Sequence, residues 1–439
     1  MNLYDLLTNR KPTETYLQTE SASYTFAELF QFVDDFEKEF FDESDQIIAL
    51  KIKNQALLVF CIWSCIKHKK SFVLLPFQLD ATLEESLLRE ASCRFVITMK
   101  EEKVGASFSV NDLTSYQTKG QSENHQTIEK ASIGFISSGT TGKPKLIWNT
   151  FQQVEKSLDA IRSHDFMPYC NEQQVLISPF LTHSYGFSAL LEYTLGNSTI
   201  IIPSEASFTS VFHLINNKKI QVLATAIEGV SYFYKQLLVF KKKIHFSNLQ
   251  HIGFGGDFVH DSLLKSLCEI YNDVSFSVRY GVSEIPSVIG LNRFTSLENN
   301  TKSYTILPLY AIQIATENDD EILVNYTDDS TQIATGDIGV FENNQLTIID
   351  RKASFLKVKG YKISPNFVEK TILDFEMIQE VQVFAKNDSL IAHIIPHKNY
   401  QKTELINYLR SKLPNYALPN SIKEVETIER TSTGKIRRQ

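Results

Sequence analysis

The sequence is poor in the features that staple, anchor or repeat a chain. Its five cysteines, Cys61, Cys65, Cys93, Cys170 and Cys268, are scattered, with no C-x-x-C pair and no zinc spacing among 439 residues. That excludes a disulfide framework and a cysteine-built metal centre, and it reads as free thiols in a reducing compartment. Cys61 and Cys65 sit in an apolar segment, where core packing is the expected role. That segment, residues 56–66, is the most apolar in the chain and ends at Lys67. It is too short to span a bilayer and reads as a helix buried on all sides. The N-terminus, MNLYDLLTNRKP, has no long apolar run, so no secretory signal is expected. No internal repeat, low-complexity tract or basic, aromatic-interleaved patch occurs. Solenoids and nucleic-acid partners are thereby excluded.

What is present is ordinary in bulk: 43% hydrophobic and 22% charged residues, as in a globular protein of several domains. The net charge of −7 is unevenly spread. From Lys352 onward there are 15 basic and 9 acidic residues, whereas the preceding part carries 29 basic and 42 acidic. A cationic C-terminal part facing an acidic body suits a lid that closes over anions.

Strand and helix signals alternate along the chain. Thr25 and Glu28 make a capping-box pattern ahead of Leu29, Val33, Phe36 and Phe40 at helical spacing. Short β-rich runs follow at 47–52 and 71–75, and the polar stretch 100–126 reads as loop-rich. Further strands are expected at 175–178, 199–202, 222–224, 251–254 and 276–280, with helices at 230–240 and 261–271. Segments 321–326 and 340–349 read as a later β-rich part. This predicts an α/β protein with mainly parallel sheets. Ligands in such sheets bind near the carboxyl ends of strands. The pattern restarts beyond Asp350–Arg351, with strands at 380–384, 390–395 and 421–426 and a helix at 403–413. The expectation is a large N-terminal domain, 1–350, of layered α/β subdomains with a β-rich part. A small, mobile α+β C-terminal lid domain, 351–439, completes it.

The most informative motif is SSGTTGKPK, Ser137 to Lys145, after an apolar strand-like run. Glycines let backbone approach a ligand closely, and successive N–H groups and hydroxyls can then meet anionic oxygens. It is not a Walker loop, because Thr140 follows Gly139 and Pro144 follows Lys143. It reads as a phosphate loop of another kind. Further on come GFGGD (Gly253 to Asp257), whose glycines admit a flat ring, and YGVSE (Tyr280 to Glu284), with a ring and a carboxylate. TGD (Thr335 to Asp337) follows, then the basic segment Arg351 to Pro365, and finally STGKIRR near the C-terminus.

In this order and approximate spacing the motifs resemble the adenylate-forming superfamily of acyl- and aryl-CoA ligases, luciferases and nonribosomal adenylation domains. The resemblance runs from about Ser23 to the C-terminus. It implies two half-reactions: a carboxylate attacks the α-phosphorus of ATP, and a thiol then displaces AMP from the acyl-AMP. Both reactants of the first step are anions, so positioning and charge neutralisation carry the catalysis.

Carried over, the resemblance makes Ser137, Ser138, Gly139, Thr140, Thr141, Gly142 and Lys143 the holders of the phosphates. Thr140 and Glu284 become the Mg²⁺-associated pair. Tyr280 stacks on adenine, the backbone of Gly255 and Gly256 lies on its other face, and Asp257, Gly281 and Ser283 border the nucleotide. Asp337 and Arg351 hold the ribose. Lys435 matches the adenylation lysine and acts at the reacting centre with Thr140, His183 and Glu284. Lys357 and Gly360 belong to the tunnel for the pantetheine arm. The acid pocket is expected from His183, Tyr185, Gly186, Ile227, Glu228, Phe254 and Val282.

Ala353 departs from the usual Asp or Lys at the hinge position. Ser283 stands where Thr is commoner, and the chain is shorter than a typical member in its first 130 residues. PFLTHSYGF, Pro179 to Phe187, offers no Asp for an α-ammonium, and an unpaired buried ammonium is costly, so an α-amino acid is not expected. Glu228 reads either as a reader of a substrate hydroxyl or amine, or as a surface carboxylate. His183 reads as a pocket residue or a satisfied core histidine. The implied function is conversion of an aryl or fatty acid to acyl-AMP and transfer to CoA, with ATP and Mg²⁺, in the cytoplasm. The rivals are loading of an acyl or aryl carrier protein through its phosphopantetheine, and a non-catalytic adenylate-binding sensor. The oligomeric state is not legible in the sequence.

Overall fold

The computed structural model describes residues 2–8, 10–41, 47–100, 110–118, 130–137, 144–430 and 436. It is a mixed α/β structure with a large N-terminal domain and a small C-terminal one. Among the described residues the large domain has two sheets. One has six strands, in spatial order Leu113–Gln117, Cys93–Met99, Ile47–Leu50, Phe72–Leu74, Ser132–Ser137 and Lys145–Thr150. The other has thirteen. Thr15–Gln18, Thr199–Ile201, Gln174–Ile177, Ala226–Gly229, His251–Phe254 and Ser275–Tyr280 form its parallel half. From Gly290–Phe294 onward its strands are antiparallel. The expectation of mainly parallel sheets therefore holds for the four inner strands of the smaller sheet and for about half of the larger one.

Local sequence explains the helices. Thr25 caps Phe26–Phe40 with the full capping box to Glu28, and Thr150 caps Phe151–Ser163 in the same way through Gln153. Gln55–Lys67 is buried at every position from Gln55 to Ile66, as its unbroken apolar run requires. It sits in the main core cluster beside Phe32, Phe36 and Tyr16. Each large side chain buried there stabilises the fold by about 1.5–3 kcal/mol.

One element expectation is corrected. Residues 222–224 are not a strand: Lys218–Leu223 is helical, and the strand is Ala226–Gly229. Isolated β-preference lost there to the cap that Asn217 supplies to the Lys219 N–H. Within the stretch 100–126, Leu113–Gln117 is a strand that pairs antiparallel with Cys93–Met99. The β-rich reading of 340–349 holds: the segment lies in a hairpin, Gln332–Glu342 against Gln345–Arg351, turning at Asn343 and Asn344 with left-handed φ of 50° and 61°.

A separate core gathers residues between Val358 and Ile422, where Pro365–Leu373 and Lys402–Lys412 pack with a three-stranded sheet. Lys265–Glu376 at 3.7 Å and Lys370–Asp261 at 3.7 Å tie this unit to the helix Asp261–Ile270 of the large domain.

Candidate active site

The carboxyl ends of four neighbouring parallel strands set the site. Gln174–Ile177, Ala226–Gly229, His251–Phe254 and Ser275–Tyr280 run in register, so Gly229 pairs with Phe254 and Phe254 with Val278. The loops leaving them carry His183 and Tyr185, Val230, Gly255 to Asp257, and Gly281 to Glu284. This is where an open α/β sheet offers its crevice.

On one side stand Tyr280, Asp337 and Arg351. Asp337 and Arg351 are register partners across a hairpin, with Arg351 Nε 3.6 Å from Asp337 Oδ1. The Tyr280 hydroxyl donates to Asp337 Oδ2 at 3.1 Å. Burial, and then the Asp337 carboxylate, push the Tyr280 phenol well above its ordinary range, so it stays a donor. Gly336, with φ of 73°, sits within the strand Gln332–Glu342 at the bulge that precedes Asp337. The Asp337 N–H is answered by Thr335 Oγ1 at 3.1 Å. Asp257, by contrast, is exposed and accepts from the next N–H, that of Phe258, at 2.8 Å.

On the other side lies the base of the Ser/Thr/Gly loop. Ser137 and Lys145 close its hairpin as register partners, while Ser138, Gly139, Thr140, Thr141, Gly142 and Lys143 lie outside the described residues. Asn149 Nδ2 donates to the Ser283 carbonyl at 2.9 Å, and Ser283 Oγ is 3.3 Å from Ser184 Oγ. The hairpin, the 281–284 turn and the helix start after His183 are thus one connected surface. Glu284 is exposed on it.

The acid-pocket expectations fare unevenly. Ile227 and Phe254 are fully buried in the core cluster that holds Tyr234 and Phe276. They belong to that core, because on their strands they face the packed side of the sheet. Gly186 is a packing residue: a Cβ there would stand 2.5 Å from the Phe180 carbonyl oxygen. Val282 is half-buried against the main core, and His183 begins the helix Ser184–Leu195.

Glu228 is no surface carboxylate; it is fully buried. Its Oε2 accepts from the Tyr185 hydroxyl at 2.7 Å and its Oε1 from the Tyr193 hydroxyl at 2.9 Å. Both oxygens therefore serve the protein's own phenols. Arg279 Nε lies 3.6 Å from Glu228 Oε2, and Arg279 Nη2 donates to Glu192. Ser287 Oγ donates to Glu192 Oε1 at 2.5 Å. Burial raises the Glu192 carboxyl, with Arg279 and Ser287 pulling against it. The flat ring that the glycines admit is that of Tyr185. A Cβ on Gly255 would stand 2.8 Å from its Cε2 and Cζ atoms.

The expectations from sequence did not include Arg279, Glu192 or Tyr193. The signal was there as charges inside otherwise apolar runs, SVRY and ALLEYTL. Gly253 has a related role: a Cβ would stand 2.4 Å from both Glu228 carboxylate oxygens, which Tyr185 and Tyr193 hold in place. Gly253→Ala is expected to cost about 1–3 kcal/mol, the usual cost of overpacking, read as a lower urea midpoint.

The C-terminal unit reaches this face of the large domain. The Arg430 guanidinium sits 4.7 Å from the centroid of Tyr232, on the helix Ser231–Val239, and Arg430 Nη2 donates to Glu380 at 2.5 Å. Burial lowers the pKa of Lys235 on the same helix, opposed by Glu380. Arg430 also bridges to Ile436, while Lys435 lies outside the described residues. Gly360, with φ of 83°, turns the exposed hairpin that carries Lys357. That hairpin's partners are Asp388 and Asp319, neither of them a site residue.

A family model described as AMP-binding enzyme matches residues 7–325, and one described as AMP-binding enzyme C-terminal domain matches residues 368–435. The chain belongs to the AMP-binding enzyme family. The 2-succinylbenzoate–CoA ligase of Listeria monocytogenes is 24% identical, over 97% of this chain and 96% of that protein. The 3,4-dihydroxybenzoate–[aryl-carrier protein] ligase of Bacillus anthracis is 25% identical, over 85% of each. Among solved structures, O-succinylbenzoate coenzyme A synthetase from Bacillus subtilis, in complex with ATP and magnesium ion, has this fold. Its TM-score is 0.76 at 22% identity, covering 99% of this chain and 98% of that one.

For this AMP-binding enzyme the donors suit a magnesium nucleotide better than a resident metal. Among the described residues no group of three or more His, Cys, Asp or Glu can hold a metal ion. Glu284 stands as a single exposed carboxylate. Mg²⁺ keeps several waters and takes the rest of its shell from one or two carboxylates and substrate phosphates, so a lone carboxylate fits it. Likewise, no described helix is long and apolar enough to cross a membrane.

Proposed function

We propose that this enzyme activates an aryl or fatty carboxylic acid with ATP and transfers the acyl group to the thiol of CoA. The single observation that carries the reading is the Tyr280–Asp337–Arg351 cluster. It stands where the strands Ser275–Tyr280 and Gln345–Arg351 end, with Asp337 presented from the strand Gln332–Glu342. A buried ring, a carboxylate and a guanidinium suit a base and a ribose. In the first step a substrate carboxylate oxygen bonds to the α-phosphorus and the bond to the β-phosphate oxygen breaks, releasing pyrophosphate. Asp337 accepts from the ribose hydroxyls, and Arg351 holds Asp337. Lys435 bridges the acid carboxylate and the phosphate oxygens, offsetting the charge that gathers there. Glu284 and Thr140 would hold Mg²⁺, which would neutralise phosphate charge. In the second step the thiol sulfur bonds to the acyl carbon, its proton passes to solvent, and AMP leaves.

We place the boundary between body and lid at Asp350–Arg351. Asp350 accepts from Ser354 at 2.6 Å and from Asn366 at 2.6 Å, so the junction is bonded into the first turn of the lid. Five free cysteines support a reducing, cytoplasmic setting.

The test is acid-dependent exchange of labelled pyrophosphate into ATP. Exchange that requires an added acid is expected. ATP binding with no exchange across a broad acid panel would instead support the adenylate-sensor reading. For the acceptor, 3′-dephospho-CoA is expected to be clearly poorer than CoA. Equal rates would favour a carrier protein, the acceptor of the Bacillus anthracis relative.

A further inference from the structure

We propose that Tyr185 is the end wall of the acid pocket and confines this enzyme to compact, ring-sized carboxylic acids, excluding long-chain acyl acids. The inference rests on the acid-activating reading above and narrows its substrate class. The Tyr185 ring lies flat on the Gly255–Gly256 backbone, with ideal Cβ positions on these glycines only 2.8 Å and 3.4 Å from ring atoms. No layer of substrate atoms fits between ring and backbone.

The wall is also fixed. The Tyr185 hydroxyl donates to Glu228 at 2.7 Å, and the Arg279 guanidinium lies 5.4 Å from its ring centroid. Glu228 is held in turn by Tyr193, and Arg279 by Glu192. Swinging Tyr185 aside leaves a buried carboxylate oxygen without its donor, which is costly. A hydrocarbon tail going further would meet two carboxylates and a guanidinium, a layer it cannot solvate. Arg279, Glu192 and Glu228 therefore act as positioning residues, through Tyr185.

Pyrophosphate exchange with purified full-length enzyme tests this. The panel runs from benzoate and its hydroxy and amino derivatives, through butyrate, to decanoate and dodecanoate. At least one ring-sized acid is expected to exceed decanoate in kcat/KM by about 100-fold or more, the discrimination a closed pocket reaches. Tyr185→Ala is expected to raise kcat/KM on decanoate about tenfold, as room for a few methylenes opens. Tyr185→Phe keeps the ring and is expected to keep the exclusion. Comparable wild-type turnover of decanoate and ring acids would overturn the wall, whatever the variants do. So would an unchanged length profile in folded Tyr185→Ala. No exchange with any acid would remove the acid-activating reading itself and the wall with it.

Discussion

Arg279→Met is expected to destabilise the large domain by about 3–5 kcal/mol, the cost of breaking a buried ion pair from one side. Arg279 is 8% exposed and is the guanidinium that faces Glu192 and Glu228, which are 1% and 0% exposed. Without it two carboxylates remain in the interior and no cation offsets their burial. The urea midpoint of the large domain should fall accordingly. The deficit should depend on pH, and its sign follows from Glu192. Burial already raises that carboxyl in the folded protein, and Arg279 opposes the rise. In the variant the folded carboxyl goes higher still, while the unfolded one does not change. The folded variant then binds more protons than the unfolded chain between those two values, so its stability falls as pH rises through that window. The gap between variant and parent should therefore narrow as the buffer is made mildly acidic. A gap that does not change with pH would mean that Glu192 is not the group left uncompensated.

Lys435→Ala is expected to slow acyl-AMP formation by about 10²–10³-fold, the usual loss for one preorganised donor of charge stabilisation. Thioester formation from supplied acyl-AMP should survive, because no new bond to phosphorus is made in that step. Single-turnover assays of the two half-reactions separate the outcomes. Arg430, five residues before Lys435, already rests over Tyr232 near the glycine turn. The described end of the C-terminal unit therefore touches the helix Ser231–Val239 of the large domain. A bulky replacement at Gly360 should give the opposite pattern, a slow second step with the first preserved. Equal losses in both half-reactions of Lys435→Ala would contradict separate lid postures for the two steps.

The parts of this fold that local chemistry dictates were legible in the sequence. The capping box at Thr25 and Glu28, the all-round burial of 56–66 and the strand at His251–Phe254 follow from short-range pattern. Tyr280, Asp337 and Arg351, named from short ordered motifs, do come together in the fold. The acid side was not legible. Arg279 and Glu192 stand 87 residues apart, and Tyr185 and Glu228 stand 43 apart. No periodicity couples such pairs, and only the sheet brings them together. The glycines of GFGGD were read as room for a ligand ring. Gly255 makes room for Tyr185 and Gly253 for Glu228. The misplaced strand at 222–224 has a local origin instead, since its β-preferring residues fall on a helix that Asn217 caps.

The most direct test is a crystal structure of the enzyme with ATP and Mg²⁺. The account predicts ribose hydroxyls within about 3 Å of the Asp337 carboxylate, hydrogen-bond distance, and a triphosphate running to the 137–145 turn. A nucleotide bound elsewhere, with its sugar away from Asp337 and its phosphates away from that turn, would contradict it.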